Sequence, residues 1–181
     1  MFVGIPGSGK TTFAKNLAKE LRAVVLNSDS ERLYMWGNLE TIQATHVNAD
    51  ERKAANKLTF GAMNYAANQV LAAGHSVIYD CNANHRWERQ EKYDIAERNG
   101  ANAIVARVQV PYEVSLHRVQ DRESSHDSRK FFDHEKASSV LDRFSAEIEE
   151  PGDDERVVYI NGEHSFEEQY EVLNQCIATL Q

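Results

Sequence analysis

The sequence predicts an α/β fold, a doubly wound parallel sheet of five strands with helices on both faces. Three observations carry that expectation. Five short apolar runs, at 2–3, 23–27, 75–80, 103–110 and 156–160, alternate with longer stretches of helical periodicity. Gly4-Ile5-Pro6-Gly7-Ser8-Gly9-Lys10-Thr11 fits G-x-x-x-x-G-K-[ST], the phosphate-binding loop that joins a strand to a helix. The polar residues best suited to chemistry come directly after apolar runs, at the strand ends where open α/β sheets bind ligands.

The first strand and its loop set the chemistry. A backbone rich in glycine can curl around phosphate oxygens. Lys10 can reach β- and γ-phosphates, the Thr11 hydroxyl can ligate Mg²⁺, and the helix starting here aims its positive end at the same anion. The expected nucleotide contacts are Gly4, Pro6, Gly7, Ser8, Gly9, Lys10, Thr11 and Thr12, and the expected ligand is a nucleoside triphosphate with Mg²⁺. Only Met1 to Val3 precede the loop, whereas a central parallel strand buried on both faces should be long. Either the strand is short or the native start lies a few residues upstream, and the second is the expectation.

The remaining elements come in order. Residues 12–21 read as a helix, and 23–27 as a buried strand that delivers Ser28, Asp29 and Arg32 to the ligand side. Asp29 there could take the proton of an attacking hydroxyl, and Arg32 could hold an anionic acceptor. The alternative is that Ser28 or Asp29 only caps the next helix. Tyr34 and Trp36, in a segment of 33–49 that resists assignment, are expected to pack, with ring stacking on substrate as the other option. Residues 50–73 form a long helix with Leu58, Met63, Tyr65, Ala66 and Val70 as its candidate buried face, stopped by Gly74. The third strand ends in Asp80, placed to support Mg²⁺ or its water shell, and Asn82 and Asn84 offer amides at the same rim unless they merely cap the next helix. Cys81, not a water-activating glutamate, comes after Asp80, which favours transfer over hydrolysis. A charged helix over 85–99 closes at Gly100. After the fourth strand, Pro111 opens a helix that puts Arg118 and Arg122 on one face. With the polar run after it, this helix reads as a lid over the phosphates, about 112–131. Residues 132–149 predict a helix with Val140, Leu141 and Phe144 inward. The fifth strand turns at Asn161-Gly162, and Ser165 to Glu168 form a capping box for the last helix.

Bulk properties bound the rest. The 181 residues, 41% hydrophobic and 27% charged, predict one soluble domain over 1–181, cytoplasmic by default, with no run long enough to span a membrane. Cys81 and Cys176 show no C-x-x-C spacing, and the seven histidines show no metal-ligand spacing. A net charge of −8 argues against a duplex-wide nucleic-acid surface, but local basic clusters at 85–107 and 117–130 leave room for the end of a strand. A GTPase reading needs N-K-x-D, and Asn56-Lys57-Leu58-Thr59 lacks the aspartate.

The combination resembles the small P-loop kinases grouped with the 5′-hydroxyl polynucleotide kinases and, more loosely, the zeta-toxin and chloramphenicol phosphotransferase group. The matching residues are the loop in its G-x-P-G-S-G-K-[ST] form, Asp29 with Arg32 three residues on, Asp80-x-Asn82-x-Asn84, and Val110-Pro111 followed by Arg118 and Arg122. The resemblance implies strand order 2-3-1-4-5 and γ-phosphoryl transfer from ATP-Mg²⁺ to a hydroxyl. Asp29 is then general base, Lys10, Arg118 and Arg122 stabilise the transferring group, and Arg32, Asp80 and Asn82 meet the substrate. The implied acceptor is a polynucleotide 5′-hydroxyl or nucleotide-like. A metabolite or antibiotic acceptor, or an ATP-binding regulatory or hydrolytic module, are the alternatives.

Overall fold

The computed structural model describes residues 1–38, 41–42, 48–121 and 137–179. All five expected strands form, and all pair in parallel. β1 (Phe2–Val3), β4 (Val105–Gln109) and β5 (Val157–Asn161) make one ladder in the order β1-β4-β5, and β2 (Val24–Asn27) pairs with β3 (Val77–Asp80) in another. The ladders meet where the chain leaving β3 passes β1. A single bridge joins Phe2 to Asn82, and the Ala83 N–H donates to the Phe2 carbonyl at 2.9 Å. Across the molecule the order therefore reads β2-β3-β1-β4-β5. The one difference from a continuous sheet has a simple cause: a two-residue β1 offers too few backbone groups to extend a ladder in both directions.

Helices cover both faces. α1 (Lys10–Leu21) continues from the loop, and α2 (Ser28–Trp36) from β2 with Asn27 as its cap. α3 (Ala49–Ala72) and α4 (Arg86–Arg98) flank β3, α5 (Tyr112–Gln120) comes after β4, and α6 (Ala137–Ala146) and α7 (Phe166–Ala178) complete the described chain. One core lies between α1, α7 and the sheet, where Phe2, Phe13, Leu17, Val108, Ile160 and Leu173 pack with Phe2 and Phe13 edge to face at 6.1 Å. A second lies on the other face, where Leu26, Tyr79 and Cys81 meet Met63 and Ala67 of α3 and Ile95 of α4. Each fully buried large apolar side chain contributes about 1.5–3 kcal/mol.

The long helix α3 buries a different stripe from the expected one. Met63 is inside, but Leu58 is 59% and Tyr65 70% exposed, and the buried residues are Ala55, Thr59, Met63 and Ala67. These recur every four residues, the row by which helices pack along an i±4 ridge. Three of them are small or hydroxylated, so α3 approaches its neighbours closely, and Thr59 Oγ1 donates to Ala55 O at 2.9 Å to satisfy its hydroxyl in the seam. Tyr34 also departs from the packing expectation, at 88% exposed. At α6, Ala137 and Leu141 pack inward, whereas Val140 and Phe144 turn to the ligand cleft at the strand ends; residues 132–136 of the expected helix lie outside the described residues.

Candidate active site

A cleft of 1910 Å³ opens at the carboxyl ends of β1, β2 and β3. Its floor is the phosphate loop. Gly7 adopts φ +85°, and a Cβ there would stand 2.6 Å from the Ser115 carbonyl oxygen of α5, so both backbone conformation and space require glycine. Pro6, Gly7, Gly9, Lys10, Thr11 and Thr12 line the cleft. Gly4 and Ser8 lie beneath it. The Gly4 N–H donates to Asn84 Oδ1 at 3.2 Å, and Ser8, fully buried, presses against Gly162 so closely that a Cβ on Gly162 would overlap the Ser8 carbonyl. The glycine after β5 is thus a packing requirement of the loop as well as a turn. Lys10 Nζ spans the loop and donates to the carbonyls of Gly4 at 2.9 Å and Ile5 at 2.7 Å.

The end of β3 meets the start of α1. Thr11 Oγ1 donates to Asp80 Oδ1 at 3.1 Å, and Asn27 Nδ2 donates to Asp80 Oδ2 at 2.6 Å, so β2, β3 and the loop converge on one carboxylate. Asp80 is only 4% exposed. Burial pushes its pKa up, while the hydrogen bonds from Asn27 and Thr11 and the charge of Lys10 pull it back. A hydroxyl beside a buried, incompletely neutralised carboxylate is a hard-oxygen donor pair, which fits Mg²⁺. Asn82 and Asn84 both line the cleft, and neither caps α4: the Glu88 carboxylate accepts the His85 N–H at 2.9 Å and Glu149 accepts the Arg86 N–H at 2.7 Å.

Asp29 and Arg32 also line the cleft, at the start of α2 just beyond Asn27. The capping alternative for Ser28 and Asp29 does not hold, because Asn27 Oδ1 accepts the Ser30 N–H at 2.8 Å and does that work one residue earlier. Arg32 Nη1 lies 3.4 Å from Asp29 Oδ1, Nη2 donates to Asn56 of α3 at 3.0 Å, and the guanidinium stands 5.5 Å over the Phe60 ring. Burial lowers the pKa of Arg32, and Asp29 opposes that shift. Arg118 is docked on the loop: its Nη1 donates to Gly7 O at 3.3 Å and Gly162 O at 3.1 Å, and α5 is fixed further by Ser115 Oγ donating to Pro6 O. Arg122 and the lid beyond Asp121 lie outside the described residues.

Several residues that line the cleft were not singled out from the sequence. Arg52, Lys53, Asn56 and Lys57 of α3, and Trp87, Glu91 and Lys92 of α4, line the same cleft. The available signal was the helical spacing of 52, 53, 56 and 57, but those residues also fit a solvated face. Lys92 Nζ stands 5.7 Å from the Phe60 centroid and 5.5 Å from that of Tyr79, with Glu91 Oε2 at 3.3 Å. Among the described residues, no helix is long and apolar enough to cross a membrane.

The AAA domain family profile matches residues 1–151. No curated protein matches the chain. Similar solved structures include a sugar kinase from Janibacter sp. HTCC2649, 23% identical, with a TM-score of 0.69 over 98% of this chain and 92% of that one. Kti12 from Chaetomium thermophilum, solved with ADP-AlF3, is 19% identical with a TM-score of 0.69 over 96% and 94%. The APS kinase CysC of Mycobacterium tuberculosis, solved with AMPPNP and APS, is 15% identical with a TM-score of 0.61 over 98% and 95%. At those identities the likeness establishes a shared P-loop kinase fold. The family match covers the loop, the Asp29 and Asp80 strand ends and the helices that line the cleft, and the chain belongs to the AAA domain family.

Proposed function

We propose that the protein transfers the γ-phosphate of ATP, taken up with Mg²⁺, to a hydroxyl acceptor, and that the acceptor is nucleotide-like, with a polynucleotide 5′-hydroxyl the best reading. The observation that carries this is the gathering of two sets of groups in one cleft: Lys10, Thr11 and Asp80 at the loop, and Asp29 and Arg32 at the start of α2. Lys10 and the loop amides hold the β- and γ-phosphates. Thr11, supported by Asp80, holds Mg²⁺, which offsets charge on the phosphates when bound. The acceptor oxygen bonds to the γ-phosphorus as the bond to the β–γ bridging oxygen breaks, the hydroxyl proton passes to the Asp29 carboxylate, and ADP leaves. Arg32 and Asn82 orient the acceptor, and Arg118 and Arg122 balance charge on the transferring group, an effect that is mostly positioning and electrostatics. The domain acts as a single unit over 1–181.

A small-molecule acceptor is the second reading, favoured by the similarity to a sugar kinase and an APS kinase. The test is transfer from γ-labelled ATP to 5′-hydroxyl oligonucleotides, nucleosides, sugars and hydroxylated antibiotics, run with wild type and Asp29→Asn. The expected result is label in one acceptor class, reduced about 100-fold or more in the variant, in the range of general-base effects, with ATP affinity little changed. Label released only as free phosphate, at equal rates in both proteins, overturns the reading.

A further inference from the structure

The acceptor half of the cleft holds residues that phosphoryl transfer itself leaves unused. α3 turns Arg52, Lys53 and Lys57 toward it, on one helical face. All three are exposed, and among the described residues none is ion-paired with a carboxylate. In a chain of net charge −8, a basic row on the wall of the cleft sets a local field for an anion. α4 begins at the rim of that cleft with Trp87, 61% exposed. Its indole is held in place although it is open to solvent. The His85 ring lies nearly parallel to it, at 14° with centroids 6.2 Å apart, and His85 Nδ1 is 3.1 Å from Glu149 Oε1. A rigid exposed aromatic loses little freedom when a second ring stacks on it.

Each feature alone fits several ligands. A basic row suits any phosphate or carboxylate, and an indole suits any flat ring. Together they describe an acceptor that has both. We propose that Trp87 and the α3 cations form a nucleotide subsite for the acceptor, in which the base stacks on the Trp87 indole and the phosphate beside the acceptor ribose lies along Arg52, Lys53 and Lys57. This rests on the phosphotransfer reading and specifies its acceptor as nucleotidyl. The ligand can come from two sources, the 5′ end of a polynucleotide or a free nucleoside 3′-phosphate, and a binding titration separates them.

The chain has two tryptophans, so Trp36→Phe leaves Trp87 as the only indole. Its fluorescence is titrated with a 5′-hydroxyl hexanucleotide, an abasic counterpart, adenosine 3′-phosphate and glucose 6-phosphate. Quenching by the two base-bearing ligands, and by neither of the others, is expected. Binding at least tenfold tighter for the hexanucleotide assigns the strand end, and equal binding assigns the free nucleotide. Lys53→Ala with Lys57→Ala should weaken both about tenfold and flatten the salt dependence. In transfer from labelled ATP, with the native Trp36, Trp87→Ala should raise the acceptor KM about tenfold or more with kcat within about twofold, in line with the loss of one base stack. Trp87→Phe should restore most of it. An unchanged KM in Trp87→Ala, or transfer to a non-aromatic acceptor without quenching by any base, overturns the subsite and leaves the kinase reading intact. Base-specific quenching without transfer to any acceptor overturns the kinase reading and keeps the subsite.

Discussion

A carboxylate that burial disfavours sits beside the phosphate loop. Asp80 receives hydrogen bonds from Thr11 and Asn27, yet burial still raises its pKa above the ordinary aspartate value. Ionisation of Asp80 therefore costs the folded protein stability. That cost is absent below the unfolded pKa of about 3.9, and it grows as pH rises through the raised folded value. Asp80→Asn should accordingly melt at the same temperature as wild type or higher at pH 7, while its turnover needs far more Mg²⁺. Thermal melts and a Mg²⁺ titration of turnover check both halves, and a lower melting temperature would make Asp80 a structural residue. Cys81 beside it shows the contrast, because burial lifts its thiol to about 11 and keeps it protonated and inert. Asp29, Arg32 and Asp80 could be found in the sequence because each stands at a fixed offset from an apolar run. Trp87 and Lys92 could not, because nothing in a helix's own sequence says what faces it across a cleft.

The elements are tied together by ion pairs that the sequence did not disclose. Arg89 of α4 and Glu155 of the turn before β5 have side chains 1% and 5% exposed, joined at 2.7 Å, and Arg89 also donates to the carbonyls of Ala83 and Asn84, which hold the loop. Arg107 of β4 pairs at 2.6 Å with Glu150, whose side chain is 56% exposed. Burial pushes the Glu155 carboxyl up, but the Arg89 hydrogen bond and charge bring it to a net value below the usual glutamate range; for Glu150 the Arg107 hydrogen bond is the main cause of the same direction. Both contribute stability that is full above the ordinary glutamate value of about 4.3 and is lost as pH falls through their lowered values. Glu155→Gln should cost about 3 kcal/mol at pH 7, since it strands a buried guanidinium. That deficit should shrink toward pH 3, as read by urea unfolding at the two pH values. A deficit independent of pH would mean that the glutamate's shape matters and its charge does not. Element boundaries were legible from caps and breakers such as Gly74, Gly100, Pro111 and Ser165. The buried face of α3 was not, because its seam is built from Ala and Thr, whose weak hydrophobicity leaves no trace in the pattern of large apolar residues.

For the whole molecule, the cleft joins three strand ends, α2, α3 and the loop, so a ligand there should stabilise the fold as a unit. ATP-Mg²⁺ at about 100 times its Kd is worth about 2.7 kcal/mol, or roughly 5–10 °C of melting temperature for a chain of this length. Lys10→Ala should lose most of that shift, and an equal shift in both proteins would place the nucleotide elsewhere. The phosphate loop, the parallel α/β architecture and the carboxylates at strand ends were determined by the sequence itself. Local spacing fixes which backbone can curl, which runs are buried and which polar residues emerge at their ends. The two-ladder sheet, the docking of Arg118 on the loop and the joining of Arg52, Lys53, Lys57 and Trp87 into one wall were decided only by the tertiary structure. Their physical basis is contact between residues far apart in the chain, as between Gly7 and Arg118, 111 residues apart, and no local period encodes such a distance.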